Sequence, residues 1–216
     1  MTTFTTEDRL AAYKTLEQGT EEWLKVRLGK VTASGVADVL AKTKTGVSAS
    51  RANYLIKLAI QRVTGEIDEG FTNDAMQWGK DHEAQARVAY EVTSGNFVEQ
   101  VGFVEHPSIA WFGCSPDGLV DKDGLVEIKC PNSATHWSYI KADSPPNKYY
   151  IQMQAQMACT DKKWCDFVSF DPRMPERSQL FIKRVMREDA YIAEMEAQVK
   201  EFLDEVAVEV NLMKGS

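Results

Sequence analysis

Residues 114–130 read Cys114-Ser115-Pro116-Asp117-Gly118-Leu119-Val120-Asp121-Lys122-Asp123-Gly124-Leu125-Val126-Glu127-Ile128-Lys129-Cys130. Apolar runs on either side of Asp-Lys-Asp-Gly are the pattern of two strands joined by a tight turn. A turn centred on Lys122 would bring Asp117 opposite Glu127, in a register that the sequence alone does not fix. On the second strand Glu127 and Lys129 share one face and Ile128 points to the other. Two carboxylates beside a lysine make a hard-oxygen pocket of the kind that holds Mg²⁺, which takes one or two carboxylates and keeps several waters. Such a metal polarises a phosphoryl oxygen, and the lysine orients or deprotonates the attacking water. Each part also has a plainer reading, since Asp-Gly is a common turn and Glu-x-Lys a common surface ion pair. The flanks favour the first reading. Gly113-Cys114-Ser115-Pro116 and Ile128-Lys129-Cys130-Pro131 are apolar or turn contexts, where an unpaired charge is costly.

Working outward, helical patterns fill the N-terminal side. A helix starts at Thr20 and ends near Gly29, and Ser34 is placed to cap another through Ala41. A third opens at Ser48 or Ser50 and stops before Gly65, with Leu55, Leu58, Ala59 and Val63 on its apolar face. A long fourth runs from about Asn73 to Ser94. Strand patterns follow at Phe97–Glu105, from Ala110 through Cys114 to Val120, and at Leu125–Cys130. After Pro145-Pro146 comes a helix from about Lys148 to Cys159, then strands Trp164–Phe170 and Gln179–Val185. An acidic amphipathic helix with Tyr191, Met195, Val199, Phe202 and Val206 on one face closes the chain. This order predicts an α/β fold, a mixed sheet flanked by helices behind a helical N-terminal region. All 216 residues are read as one domain: a helical region to about 70, a core over 71–187 and a C-terminal helix over 188–210.

The net charge of −7 is unfavourable for a nucleic-acid partner, but its distribution is not uniform. Between Val39 and Gly65 there is no Asp or Glu, while Lys42, Lys44, Arg51, Lys57 and Arg62 all lie there. From Glu188 to Glu209 the acids dominate and Lys200 is the only base. A basic face and an acidic outer helix can coexist in an enzyme of DNA. No apolar run is long enough to span a membrane, and the start MTTFTTEDRL has no secretory pattern, so a cytoplasmic location is expected. Cys114, Cys130, Cys159 and Cys165 lack the spacing of a zinc or iron–sulfur site and read as buried thiols. His82, His106 and His136 share no ligand spacing. Trp78, Trp111, Trp137 and Trp164 are expected in the core rather than as base-stacking residues.

Arg27, Thr32 and Ser34 form a second constellation, an arginine fork with two hydroxyls at a helix start, suited to a phosphate. Taken alone, Ser34 is more readily a plain helix cap.

Several blocks in order make the chain resemble the phage lambda exonuclease family, within the PD-(D/E)XK nuclease superfamily. These are Trp23 with Val26-Arg27-Leu28-Gly29, Val31-Thr32-Ala33-Ser34, Trp78-Gly79-Lys80 with Glu83, Cys114 to Gly118, Glu127 to Pro131, Gln152-Met153-Gln154, and Asp171-Pro172-Arg173-Met174. The resemblance implies that Asp117, Glu127 and the Ile128 carbonyl bind Mg²⁺, as one or two ions, with Mn²⁺ able to substitute. It implies that Lys129 positions the water, that Glu83 adds an acid from the long helix, and that Gln152 or Gln154 stands near the site. Spacing alone would instead pair Glu83 with Arg87. Arg27, Thr32, Ser34 and Ser115 would hold a DNA 5′-phosphate, and Arg51 and Met76 would touch DNA, Met76 as a wedge between bases. The match is poor between Lys42 and Arg51, so single contacts there are not assigned. The implied activity is Mg²⁺-dependent 5′-to-3′ digestion of one strand from double-stranded DNA ends, by a phage-type homotrimer serving a single-strand annealing recombinase. A structure- or site-specific endonuclease and a catalytically inactive DNA-end-binding protein are the competing readings.

Overall fold

The computed structural model describes residues 16–44, 46–67 and 74–215. The chain opens with α1 (Glu21–Arg27), whose N-terminus is capped by the Thr20 hydroxyl accepting from Trp23 N at 3.3 Å. A turn through Gly29, with φ +67°, leads to β1 (Val31–Thr32) and a single 3-10 turn, Ala33–Gly35. The next helix, α2, is only Val36–Val39. Ser34 therefore lies inside the 3-10 turn and caps no helix, which corrects the sequence expectation. After the hairpin β2 (Lys42–Thr43) and β3 (Gly46–Val47), Ser48 caps α3 (Ala49–Thr64) and Gly65 closes it at φ +70°. Helix α4 is Asp74–Ser94; the expected start at Asn73 lies outside the described residues.

The expected strand over Phe97–Glu105 is two short strands in different sheets, β4 (Val98–Glu99) and β5 (Val104–Glu105). Between them Gly102 sits so close to the Leu16 backbone that an added Cβ would lie 2.2 Å from the Leu16 carbonyl oxygen. The next expected strand also splits, into β6 (Phe112–Cys114) and β7 (Gly118–Val120), before β8 (Gly124–Lys129). Helices α5 (Ser133–Ala142) and α6 (Asn147–Thr160) then carry the chain to β9 (Trp164–Phe170). Strand β10 (Leu180–Met186) and α7 (Asp189–Lys214) complete it. Helix α5 has no counterpart in the sequence reading. Its apolar residues lack helical spacing, and its signals are Asn132 accepting from Thr135 N at 2.9 Å and Asp143 left-handed at its end.

The main sheet runs β10-β9-β8-β7-β4, with β8 and β9 parallel and the other pairs antiparallel. A smaller sheet runs β1-β6-β5. The β8–β9 crossover carries α5 and α6 onto one face of the main sheet, whose core includes Leu125, Met153, Phe167 and Met195. Helix α4 covers the other face, packing Ala86 and Tyr90 on Val126, Ile128, Val168 and Phe170. Because the strand period is two, Glu127 points to the α6 side and Ile128 to the α4 side. The α7 face buries Ile192, Met195, Val199, Phe202, Leu203 and Val206, with Tyr191 half-buried at its edge.

Two tryptophans depart from the expectation of burial. Trp137 is exposed, and Trp111 is exposed at the surface with left-handed φ +64°. The Arg62 guanidinium covers the Trp111 ring at 4.2 Å. All four cysteines are buried, as expected. Among the described residues no helix is long and apolar enough to cross a membrane.

Candidate active site

Strands β7 and β8 pair with Gly118 against Val126 and Val120 against Gly124, so the register places Asp117 across from Glu127. The ladder stops at Gly118, and beyond it the Asp117 side chain takes over. Asp117 Oδ2 accepts from Ile128 N at 2.6 Å, which satisfies a strand N–H that the interrupted strand leaves unpaired. Pro116, which has no N–H to give, precedes it. Thus the break between β6 and β7, where the chain passes from one sheet to the other, aims Asp117 along the end of β8.

Glu127 is fully buried, whereas the Asp117 and Lys129 side chains reach the surface in part. Lys129 Nζ contacts Glu127 Oε1 and lies 3.8 Å from Asp117 Oδ2. From α6, Gln152 Nε2 donates to Glu127 Oε1 at 2.7 Å. One turn further along, Gln156 Nε2 donates to Glu127 Oε2 at 2.6 Å. Burial first, then the Glu127 charge, push the Asp117 carboxyl up to about 8. Burial disfavours the Lys129 ammonium too, but Glu127 and Asp117 outweigh it and raise its pKa. The Cys130 thiol is pushed up to about 12, chiefly by burial, and is not a poised nucleophile.

The remaining predicted residues divide. Glu83 on α4 is bonded by Arg87 Nη2 at 3.1 Å, as spacing suggested, and its charge also reaches Asp117 and raises that carboxyl. Gln154 points away from the site. Its Nε2 donates to the Met186 carbonyl at 2.8 Å and its Oε1 accepts from Glu188 N at 3.0 Å, tying α6 to the start of α7. Of the two glutamines singled out in the sequence, Gln152 is the one at Glu127. Gln156 went unnoticed, and the signal was its i+4 spacing from Gln152, which puts both on one helical face.

Arg27 and Ser115 meet at Trp23, while Thr32 shares a cavity with Arg27 and lies beside Ser34. The Arg27 guanidinium stacks on the Trp23 ring at 3.8 Å, and Trp23 Nε1 donates to Ser115 Oγ at 2.9 Å. Thr32 and Ser34 hydroxyls are 3.2 Å apart. Arg27 and Thr32 line a cavity of about 200 Å³ with Lys30, Tyr54 and Lys57. Burial lowers the Arg27 pKa, and its Nε is buried without a hydrogen-bond partner. This is a cation in want of an acceptor. The short α2 lends it no helix terminus.

Two arginines of the basic segment are engaged within the fold. Arg51 is bound at both nitrogens by Glu205, at 2.7 and 2.8 Å, and donates to the Val39 carbonyl at 3.2 Å, so it joins α3 to α7. Arg62 donates to the Gly29 carbonyl at 2.7 Å, and burial lowers its pKa to about 10. Lys42, Lys44 and Lys57 are exposed. Met76, in the first turn of α4, is also exposed. Near it the Arg173 guanidinium, held by Asp171, lies 4.2 Å over Trp78, and Trp78 stacks on His82. Two blocks almost a hundred residues apart in sequence thereby fix the N-terminal half of α4.

The model of the YqaJ-like viral recombinase domain matches residues 22–163. The chain belongs to this family. The match agrees with the lambda exonuclease resemblance drawn from the motifs. Among solved structures, the alkaline exonuclease LHK-Exo from Laribacter hongkongensis is 51% identical, with 90% of this chain and 96% of that chain covered and a TM-score of 0.85. Its complex with dAMP gives 0.86 over the same coverage. A phage related exonuclease from Haemophilus somnus 129PT is 17% identical and shares the fold, with TM-score 0.65 over 86% of this chain and 95% of that one. These neighbours place the family member's sheet and flanking helices in the PD-(D/E)XK class. Protein R354 of Acanthamoeba polyphaga mimivirus is 24% identical over 168 residues, 70% of this chain, and the matched stretch spans 29% of that protein's length.

Proposed function

We propose that the chain is a Mg²⁺-dependent exonuclease that digests one strand of double-stranded DNA from its ends, 5′ to 3′. The observation that carries this reading is the convergence of Asp117, Glu127 and Lys129 in one largely buried cluster at the end of β8. The 51% identity to an exonuclease supports it, and dAMP bound to that protein has the form of a mononucleotide product.

The residues fit a hard divalent cation. Two carboxylates are held together where burial first, and then their repulsion, lift Asp117 to about 8, and Lys129 and the Ile128 N–H partly offset this. Asp117, Glu127 and the Ile128 carbonyl would supply the oxygens. Among the described residues no three His, Cys, Asp or Glu side chains form a closed cage, and Mg²⁺ needs none because it retains water. When bound it supplies charge stabilisation at the phosphoryl and leaving oxygens. Lys129 places a donor beside the attacking water, and Gln152 holds the Glu127 oxygen on the Lys129 side. Glu83 adds negative charge from α4. Arg27, Thr32, Ser34 and Ser115 hold the 5′-phosphate, for which the unpartnered Arg27 Nε is the strongest support. Met76 is exposed where it can reach the first bases.

The product in this reading is a 3′ single-stranded overhang, taken up by a phage-type single-strand annealing recombinase. A cyclic homotrimer gathers the exposed Lys42, Lys44 and Lys57 toward DNA and leaves the acidic face of α7 outside. The direct test is digestion of 5′-phosphorylated linear duplex with Mg²⁺, with Mn²⁺ and with EDTA, beside a covalently closed circle. Linear duplex should be consumed only with metal and the circle spared, while Asp117→Ala, Glu127→Ala and Lys129→Ala should lose turnover and keep DNA binding. Cleavage in EDTA, cutting of the circle, or a fully active Asp117→Ala or Glu127→Ala would overturn the reading.

A further inference from the structure

Glu127 is held from one helix by two amides, and the second of them has no place in the reading above. Gln156 is fully buried among Met153, Ala155 and Met157, which are buried as well. Its Nε2 lies 2.6 Å from Glu127 Oε2, while its Oε1 is buried with no hydrogen-bond partner. An amide with one end unsatisfied is a poor way to fill an apolar slot, since methionine would fill it without a polar atom. The opposite rotamer of the amide would set a carbonyl oxygen against a carboxylate oxygen, so Gln156 acts as donor. Its backbone is pinned in turn, because Thr160 Oγ1 donates to the Gln156 carbonyl at 2.8 Å.

The two oxygens of Glu127 are thus unequal. Oε1 lies on the side of Lys129, and through it of Asp117, and shares Gln152. Oε2 is turned into the core and taken by Gln156. We propose that Gln156 is a positioning residue that fixes the Glu127 carboxylate so that Oε1 alone is presented to the divalent cation. The inference rests on the metal reading of the site. Glu127 would then hold the cation through one oxygen, beside Asp117 and the Ile128 carbonyl.

Outer partners of metal ligands typically change metal affinity by about ten- to a hundredfold when removed. The test titrates Mn²⁺ into the full-length chain, following free Mn²⁺ by electron paramagnetic resonance, for wild type, Gln156→Met and Gln156→Asn. Gln156→Met keeps the length and loses the bond; Gln156→Asn keeps an amide but retracts it. Thermal unfolding establishes which variants are folded, and Gln156→Asn, the milder change, carries the test where Gln156→Met does not fold. The expected result is Mn²⁺ dissociation constants raised about tenfold or more, with slower digestion at saturating metal and unchanged metal-free DNA binding. A folded variant with wild-type Mn²⁺ affinity overturns the role of Gln156 and leaves the nuclease reading standing. Wild type that binds no Mn²⁺ overturns both.

Discussion

Replacing Arg51 separates two accounts of the basic segment, because the sequence offers it as a DNA contact and the fold uses it as a clasp. Its guanidinium holds Glu205 through two bonds at 2.7 and 2.8 Å, its Nε reaches the Val39 carbonyl, and its plane lies 5.1 Å from the Phe202 ring. The Glu205 side chain is 41% exposed, so the ion pair is discounted to about 1 kcal/mol at most. The backbone bond adds about 1 kcal/mol, and contact with the ring a few tenths. Arg51→Ala should therefore cost about 2 kcal/mol, or roughly 4–8 °C in Tm for a chain of this size. Glu205→Ala should cost somewhat less, and the double variant should fall short of the sum, since both remove the same pair. DNA binding supplies the contrast. Loss of a phosphate contact flattens the dependence of log K on log salt by about 0.9. Arg51→Ala should leave that slope unchanged when measured well below its Tm. A slope reduced by about one, with Tm unaltered, would refute the clasp and restore Arg51 to the DNA surface.

A 5′-hydroxyl end should start about tenfold more slowly than a 5′-phosphate end, since it forfeits charge-assisted bonds worth roughly 1.5–3 kcal/mol each. Arg27→Ala should narrow that gap, and equal initial rates of wild type on both ends would remove the phosphate pocket. Arg184→Met strands the buried Asp166 carboxylate, which Arg184 holds at 2.8 and 2.9 Å and Tyr90 at 2.8 Å. With Arg184 itself half-exposed and Tyr90 still bonded to Asp166, it should cost about 2 kcal/mol, seen in urea unfolding, without loss of turnover where the variant is folded, because Asp166 lies on the sheet face opposite Glu127. A turnover defect at wild-type stability would contradict that placement. Light scattering should report three copies per particle, and a monomer that digests duplex at the same concentration would end the trimer proposal.

What could be read from the sequence is what spacing determines. Glu127 and Lys129 share a face because strands alternate, and a turn at Lys122 suggests Asp117 opposite Glu127, in a register that the β7–β8 pairing supplies and the sequence leaves open. The helix ends at Thr20, Ser48, Gly65 and Gly95 were equally local, each resting on a cap or a left-handed residue. What could not be read depends on partners far along the chain. The single strand expected over Phe97–Glu105 is divided beside Gly102, where the backbone of Leu16 leaves no room for a side chain. Arg51 looks like a free cation until α7 brings Glu205 to it from 154 positions away. Gln156 looks like a polar residue on a helix surface, because nothing local says that the helix is buried on that side too.

The two halves of the candidate site differ in the same way. Asp117, Glu127 and Lys129 come from a contiguous hairpin, whereas Gln152 and Gln156 arrive on α6 by a crossover. The register of β8 with β9, Glu127 against Phe167 and Lys129 against Ser169, fixes the strands that α6 joins and packs upon. A change that shifted this parallel pairing by one residue would turn Glu127 away from both amides while leaving the hairpin intact. The carboxylates are thus a property of the motif, and their preorganisation is a property of the fold.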